Sequence, residues 1–311
     1  MSLAKVEPKQ PVSASPALLG LLEARTVLSD YVTLTKPRIM VLLLFTEYAA
    51  MVVASKGLPG LRVTVFGLLG LMLSTGGAAA LNMWYDRDID VLMERTKGRP
   101  IPAGRVSPVG ALAFGLVLLV LSFAVLGFGL NWFSAWLALA GFIYYVVIYT
   151  MWLKRRTPQN IVIGGGAGAF PPLVGWSVVT GHLAWPAVLM FLVIFLWTPP
   201  HFWALALYKH DDYKRAHIPM MPVVRGAKTT KWQSLVYTVL LLASSILLYY
   251  THAVGLVYLA AAILLGVGFV IYTAMSLLEK SPNLIWAKRT FKFSLIYLSV
   301  LFVVMILNVH R

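Results

Sequence analysis

Nine apolar runs, each long enough to cross a hydrocarbon layer about 30 Å thick as a helix, constrain this chain more than any other feature. They fall at about Ile39–Ala54, Val63–Tyr85, Val109–Gly129, Trp132–Leu153, Asn160–Val179, Trp185–Leu207, Trp232–Tyr250, Ala253–Leu278 and Thr290–Asn308. In lipid the backbone polar groups must be satisfied within the segment, so such runs read as helices. The expected fold class is an all-α polytopic membrane protein of about nine transmembrane helices packed as a bundle. Very short turns at Leu130-Asn131 and Thr251-His252 make the flanking helices antiparallel neighbours. Residues 1–30 place Pro, Ser, Lys and Glu around a short Leu-rich piece, without the basic-then-apolar order of a cleavable signal. They read as a flexible cytoplasmic tail, and residues 31–311 as a single transmembrane domain.

A formal net charge of +15 would point to nucleic acid in a soluble protein, but its distribution points elsewhere. With the N-terminus inside, all of the 26 Lys and Arg except Lys56, Arg62 and Arg311 lie on the cytoplasmic side. That asymmetry is the positive-inside signature of a membrane protein, so no nucleic-acid partner is expected. The expected partner of that face is the lipid bilayer, whose anionic headgroups attract it. There is no cysteine, which excludes disulfides, thiolate metal sites and covalent haem attachment through Cys.

Three of the eleven acidic residues fall within five positions at the end of the second run, Asn82-Met-Trp-Tyr-Asp86-Arg-Asp88-Ile-Asp90. On a helix Asn82, Asp86 and Asp90 share one stripe, while Asp88 points roughly the other way. Two carboxylates and an amide oxygen make a hard-oxygen site suited to Mg²⁺, which fills its other positions with water and phosphate oxygens. The plainer reading is a solvated acidic turn, but acids so close to lipid are costly and usually serve a purpose. The sixth run ends in a second cluster, Tyr208-Lys209-His210-Asp211-Asp212-Tyr213, on the same side. Each cluster precedes a basic, proline-bearing loop, which suggests two pseudo-repeats of four helices plus one extra.

Carboxylates alone repel phosphate, Mg²⁺ bridges the two, and Arg95, Lys97, Arg99 and Arg105 add donors to the remaining oxygens. For the basic residues, topology determination is the competing explanation. A site of this kind at the mouth of an apolar bundle suits a substrate with a diphosphate head and a hydrocarbon tail. Its natural reaction is ionisation to an allylic cation, which Trp84 and Tyr85 could hold by cation–π attraction. Gly164-Gly-Gly-Ala-Gly168 has no Gly-Lys-Ser/Thr ending and lies in an apolar span, so it reads as close helix packing rather than a phosphate loop. Glu47, within the first span, either faces a cavity or is protonated.

Asn82-x₃-Asp86-x₃-Asp90 with Arg95-Thr-x₂-Arg99-Pro resembles the first motif of the intramembrane aromatic prenyltransferases, the UbiA superfamily. Within it, Pro200-His201-Phe-Trp, Asp211-Asp212-Tyr213 and Ile-Pro-Met-Met-Pro-Val resemble the protohaem IX farnesyltransferase (haem O synthase) branch, as does Thr-Lys36-Pro-Arg38. The resemblance covers about residues 30–308. It implies transfer of farnesyl from farnesyl diphosphate to the 2-vinyl group of haem B with addition of water, giving haem O and diphosphate for haem A and cytochrome oxidase biogenesis. It implies a bacterial inner membrane, a Mg²⁺ cofactor and a haem A synthase as a further partner. It also implies roles for individual residues. Asn82, Asp86, Asp90 and Asp212 would hold metal, with Asp211 beside them in the catalytic set. Arg95, Lys97, Arg99 and Lys209 would bind diphosphate, and His201 and Tyr213 would face the acceptor. Lys209 stands where other branches carry an aspartate, and Ala216-His217 replaces an expected Ala-Gly. His201 follows Pro199-Pro200, which should kink the helix. It would serve as an iron ligand, propionate partner or proton carrier, unless it only bonds a neighbouring helix. Two other functions stay open: prenylation of a phenolic acceptor such as 4-hydroxybenzoate, and transport. The gathering of acids at one rim disfavours transport.

Overall fold

The computed structural model of the chain describes residues 26–280 and 283–310. Among these, nine helices are long and apolar enough to span a membrane. They are α1 (Pro37–Ala54), α2 (Leu61–Tyr85), α3 (Pro108–Gly129), α4 (Trp132–Leu153), α5 (Asn160–Thr180), α6 (Trp185–Tyr208), α7 (Gly226–Tyr249), α8 (Leu256–Leu278) and α9 (Ile285–Leu307). The protein is a multi-pass membrane protein. Their outward faces carry large bare side chains such as Val120, Trp136 and Leu264, as a lipid-facing surface requires. Asn131 caps α4 by accepting from the Ser134 N–H at 2.9 Å, which fixes the tight turn after α3.

The expected spans are met, with differences at the basic ends. α7 begins at Gly226 and α9 at Ile285, each several residues before the apolar run starts. Lys228 and Lys288 ride exposed on these first turns, long basic stems covering apolar surface while their heads reach the rim, whereas Lys231 is buried and donates from Nζ to the Glu279 carbonyl at 2.9 Å. α6 runs as one helix through Pro199 and Pro200. α5 instead breaks at Gly165 between two helical pieces. The last ten residues of α4, Tyr144–Leu153, wind as a π-helix. Upstream of α1, residues 26–34 are helical. Arg105 clasps Asp30 with Nε 3.0 Å from both carboxylate oxygens, which ties this helix to the loop before α3. Residues 1–25, the rest of the expected tail, lie outside the described residues.

The expected pseudo-repeat has a counterpart in packing. α2 pairs with α3 and α6 with α7, the same positions in each half, and α1 packs against α5 where the halves meet. α9 closes the bundle against α6, α8 and α1. The largest core cluster lies between α5, α6, α8 and α9, around Met190, Tyr258, Phe269, Tyr297 and Phe302.

Close approach depends on glycine at two seams. A Cβ on Gly175 of α5 would stand 2.2 Å from the Glu47 carbonyl oxygen of α1, and one on Gly77 of α2 would stand 2.7 Å from the Gly115 carbonyl of α3. Backbone cannot yield as a side chain can. In the glycine run, Gly164 and Gly166 face the rings of Tyr149 and Tyr144, whereas Gly168 has open space. The run is thus a packing surface for α4 and α6. We expect Gly175→Ala to lower stability by roughly 1–3 kcal/mol through overpacking, and Gly168→Ala to change it little. Thermal unfolding of the two variants in the same detergent checks this, and equal midpoints would refute the seam.

Candidate active site

The short helix Arg87–Asp90 follows α2 after Asp86, and the backbone N–H of Asp90 still bonds the Asp86 carbonyl at 2.9 Å. The helical stripe expected from spacing therefore persists, and Asn82, Asp86 and Asp90 are all buried, with Asp86 fully so. Asp88 points out, as expected, and binds Arg155 through two 2.7 Å bonds. That guanidinium holds the Asp88 carboxyl below its ordinary range, against a smaller effect of burial.

Each member of the stripe is met by a basic side chain. Lys36 donates from Nζ to Asn82 Oδ1 at 2.6 Å, and Asn82 Nδ2 donates to Asp86 Oδ2 at 2.8 Å. Lys154 bonds the same Asp86 oxygen, while Arg155 lies 3.5 Å from the other, Oδ1. Arg99 grips Asp90 with both carboxylate oxygens within 2.9 Å of one nitrogen. Lys36 sits in the left-handed region at φ 55°, ahead of Pro37, a strained conformation of the kind that clusters at functional sites. Burial pulls its ammonium down to about 7, with Arg99 and Lys154 adding to this and Asp86 and Asp90 opposing.

The π-helix brings in a second wall. Its backbone N–H groups reach back five residues, as Lys154 does to the Tyr149 carbonyl at 2.9 Å. Residues five apart therefore align: Tyr145 with Thr150, and Tyr149 with Lys154. Thr150 accepts from Asn82 Nδ2 at 3.1 Å, and the Tyr145 hydroxyl lies 3.4 Å from Lys36 Nζ. Arg155 stacks over the Tyr85 ring at 4.8 Å.

The second motif meets the first through packing. Ile89 and Met93 join Trp203, Ala206, Tyr213, Ile218 and Met221 in one apolar cluster. Burial raises the Tyr213 phenol, and Arg95 is close enough to oppose that shift. On the π-helical wall the Tyr149 ring lies 5.6 Å from that of Tyr145. Not every expected residue converges. Asp211 has its side chain 93% exposed and meets only His210, so it is not gathered with Asp86 and Asp90. The cause is the short helix His210–Arg215, where successive residues point about 100° apart. Asp212 turns inward and pairs with Arg215. Lys97 is an exposed partner of Glu94, and Lys209 is exposed at the start of the short helix. His201 is buried against α9, with Nδ1 2.6 Å from Ser294 Oγ and its ring stacked between Trp197 and Phe291.

Mg²⁺ fits the donor set. Asn82 and the two aspartates offer hard oxygens, and the fully buried Asp86 Oδ1 has no hydrogen-bond partner. Among the described residues no three His, Asp or Glu side chains converge, so an ion here would take further oxygens from water and phosphate. Sequence reasoning did not single out Lys154, Arg155, Tyr145, Tyr149 or Thr150, and noted Lys36 only as part of a motif. The basic residues had been absorbed into the topological charge count.

Asp86 is fully buried and offsets charge on the half-buried Lys154 and Arg155. We expect Asp86→Ala to cost about 3–5 kcal/mol, because Lys154 is left beneath the rim without its counter-ion. Adding Lys154→Met should recover part of that loss. A double-mutant cycle on denaturant unfolding measures it, and purely additive losses would refute the coupling.

Known proteins similar to this chain place it in a family. The model of the UbiA prenyltransferase family matches residues 43–296. A Protoheme IX farnesyltransferase of Symbiobacterium thermophilum is 56% identical over 290 residues, covering 93% of this chain and 97% of that one. One from Acidiphilium cryptum is 47% identical, covering 90% of each. In fold the chain is similar to a digeranylgeranylglyceryl phosphate synthase structure, with a TM-score of 0.77 at 19% identity over 91% of this chain and 98% of that one. It is also similar to a UbiA homologue from Archaeoglobus fulgidus bound to DMAPP and Mg²⁺, with a TM-score of 0.62 at 19% identity over 89% and 99% of the two chains. With the family model spanning most of the transmembrane body and relatives near half identical along nearly its whole length, the chain belongs to the UbiA prenyltransferase family.

Proposed function

We propose that the protein transfers a farnesyl group from farnesyl diphosphate to a vinyl group of protohaem IX (haem B), with addition of water, giving haem O and diphosphate. The observation that carries this reading is the buried stripe Asn82–Asp86–Asp90, ringed by Lys36, Arg99, Lys154 and Arg155 at the mouth of an apolar bundle. The name shared by the two relatives supports the choice of acceptor.

In this reading Asn82, Asp86 and Asp90 would hold Mg²⁺, Asp212 joining them only by leaving Arg215, and the ion would supply charge neutralisation for diphosphate as a leaving group. The chain does the rest. Arg99, Lys154, Arg155 and Lys36 exchange carboxylate partners for phosphate oxygens, and Arg95 is near enough to join them. Lys97 and Asp211, which point away, are outside this set. The farnesyl C–O bond breaks and its electron pair leaves on diphosphate. The rings of Tyr85, Tyr145 and Tyr149 hold the allylic cation by cation–π attraction. The vinyl π pair forms the new C–C bond, and the resulting cation takes up water and loses a proton. On the acceptor side stand Tyr213 and His201. With Nδ1 held by Ser294, Nε2 is the His201 nitrogen left to meet haem. The basic rim faces the cytoplasm of a bacterial inner membrane in this reading, and haem O passes on to a haem A synthase.

Membranes carrying the protein should convert labelled farnesyl diphosphate and haem into farnesylated haem, and chelation followed by Mg²⁺ should stop and restore the reaction. A prenylated phenol instead would move the assignment to the phenolic acceptor, and no transfer to either would sink it. Asp86→Asn and Asp90→Asn should each lower turnover by about a hundredfold or more, with insertion unchanged; activity retained in both would refute the metal assignment. His201→Ala should raise the KM for haem more than that for farnesyl diphosphate. Equal changes would count against an acceptor-side role.

A further inference from the structure

Away from the stripe, at the same basic end of the bundle, α8 and α9 splay to form an open concavity of about 430 Å³. Met275, Leu278 and Ile285 supply its aliphatic wall, and Lys280, Trp286 and Arg289 its polar one. Arg289 lies over the Trp286 ring at 4.8 Å, and Trp286 in turn packs edge-on to Tyr272. The acid in the concavity is already engaged. Glu279 accepts from the Trp286 backbone N–H through both carboxylate oxygens, at 3.1 and 3.2 Å, and so caps the start of α9. Among the described residues no carboxylate pairs with Arg289 or Lys280. Two cations thus stand beside an indole at the basic end of the bundle, and among the described residues neither is ion-paired.

Below the concavity, past the exposed Lys292, the two helices that frame it carry bare apolar side chains, Ile271 of α8 and Ile296 and Val303 of α9. A cationic rim above a bare hydrocarbon-facing seam matches an amphiphile with an anionic phosphate head and acyl tails. Basic pockets between transmembrane helices at this depth bind such headgroups, and Trp at the headgroup level anchors the same boundary. A free anion would meet the cations but gain nothing from the seam.

We propose that the concavity between the basic ends of α8 and α9 is a binding site for one anionic phospholipid, its phosphate held by Arg289 and Lys280 and its chains laid along α8 and α9. The site is separate from the diphosphate stripe, and its test does not depend on which acceptor the enzyme uses.

The experiment is native mass spectrometry of the purified full chain, delipidated and then titrated with phosphatidylglycerol or phosphatidylcholine. One phosphatidylglycerol should be retained per chain at concentrations where phosphatidylcholine is lost. Arg289→Gln and Lys280→Gln should each weaken retention roughly fivefold, Arg289→Lys should keep most of it, and Lys288→Gln, which removes an exposed charge outside the concavity, should leave it unchanged. Equal retention of the two lipids would overturn the proposal. So would an equal loss in Lys288→Gln, or displacement of the lipid by millimolar inorganic phosphate, which would mark a free-anion site.

Discussion

A carboxylate placed at the mouth of a hydrocarbon-lined bundle must be neutralised on the spot, and most of the site is arranged around that need. Removing Asp86 from water costs several kcal/mol unless opposite charge and hydrogen bonds replace the solvent. Lys154, Arg155 and Asn82 provide them, and Lys36 extends the ladder on the far side of Asn82. The start of α1, the end of α2 and the end of α4 are thereby fixed within a few ångströms of one another. In the proposed reaction the same cations would exchange these carboxylates for the oxygens of a phosphorylated head.

The π-helix at the end of α4 follows from the same constraint. An ordinary helix would turn Lys154 away from Tyr149 and Thr150 away from Tyr145. Widening the turn by one residue puts the two hydroxyl-bearing rings and their polar partners along shared lines. π-Helical turns are rare and often found at functional sites, and here the extra residue per turn places Thr150 on Asn82 and Lys154 on Asp86. Behind this wall, Gly164 and Gly166 let α5 approach the Tyr149 and Tyr144 rings. The polar wall of the candidate site and the packing seam therefore share one helix.

The two halves of the bundle are alike in packing but not in chemistry. α2 ends in a buried stripe with every member paired. α6 ends in a short helix from which Asp211 faces solvent and Asp212 is held by Arg215. Tyr213, buried in one apolar cluster with Ile89 and Met93, is among the residues of the second half that reach the first. His201 adds a flat aromatic sandwich one helix further round, where α6 meets α9. In the proposed reaction the first half manages the leaving group and the second half the acceptor, a division that two diverged repeats allow.

Much of this was legible in one dimension. Hydrocarbon thickness sets a minimum apolar length, so the nine spans could be read directly. The bias of Lys and Arg toward alternate loops placed helix ends 2 and 6 on one side, and the spacing of four gave Asn82, Asp86 and Asp90 a common face. None of that says which cations meet which acids. Lys36 reaches Asn82 across 46 residues and Lys154 reaches Asp86 across 68, and both look in sequence like ordinary loop charges. The break at Gly165, the continuity of α6 through two prolines, the π register of α4 and the outward turn of Asp211 were likewise settled only in the folded bundle. Local pattern fixes what each segment must bury, whereas pairing, register and direction depend on neighbours that the chain brings together only when it packs.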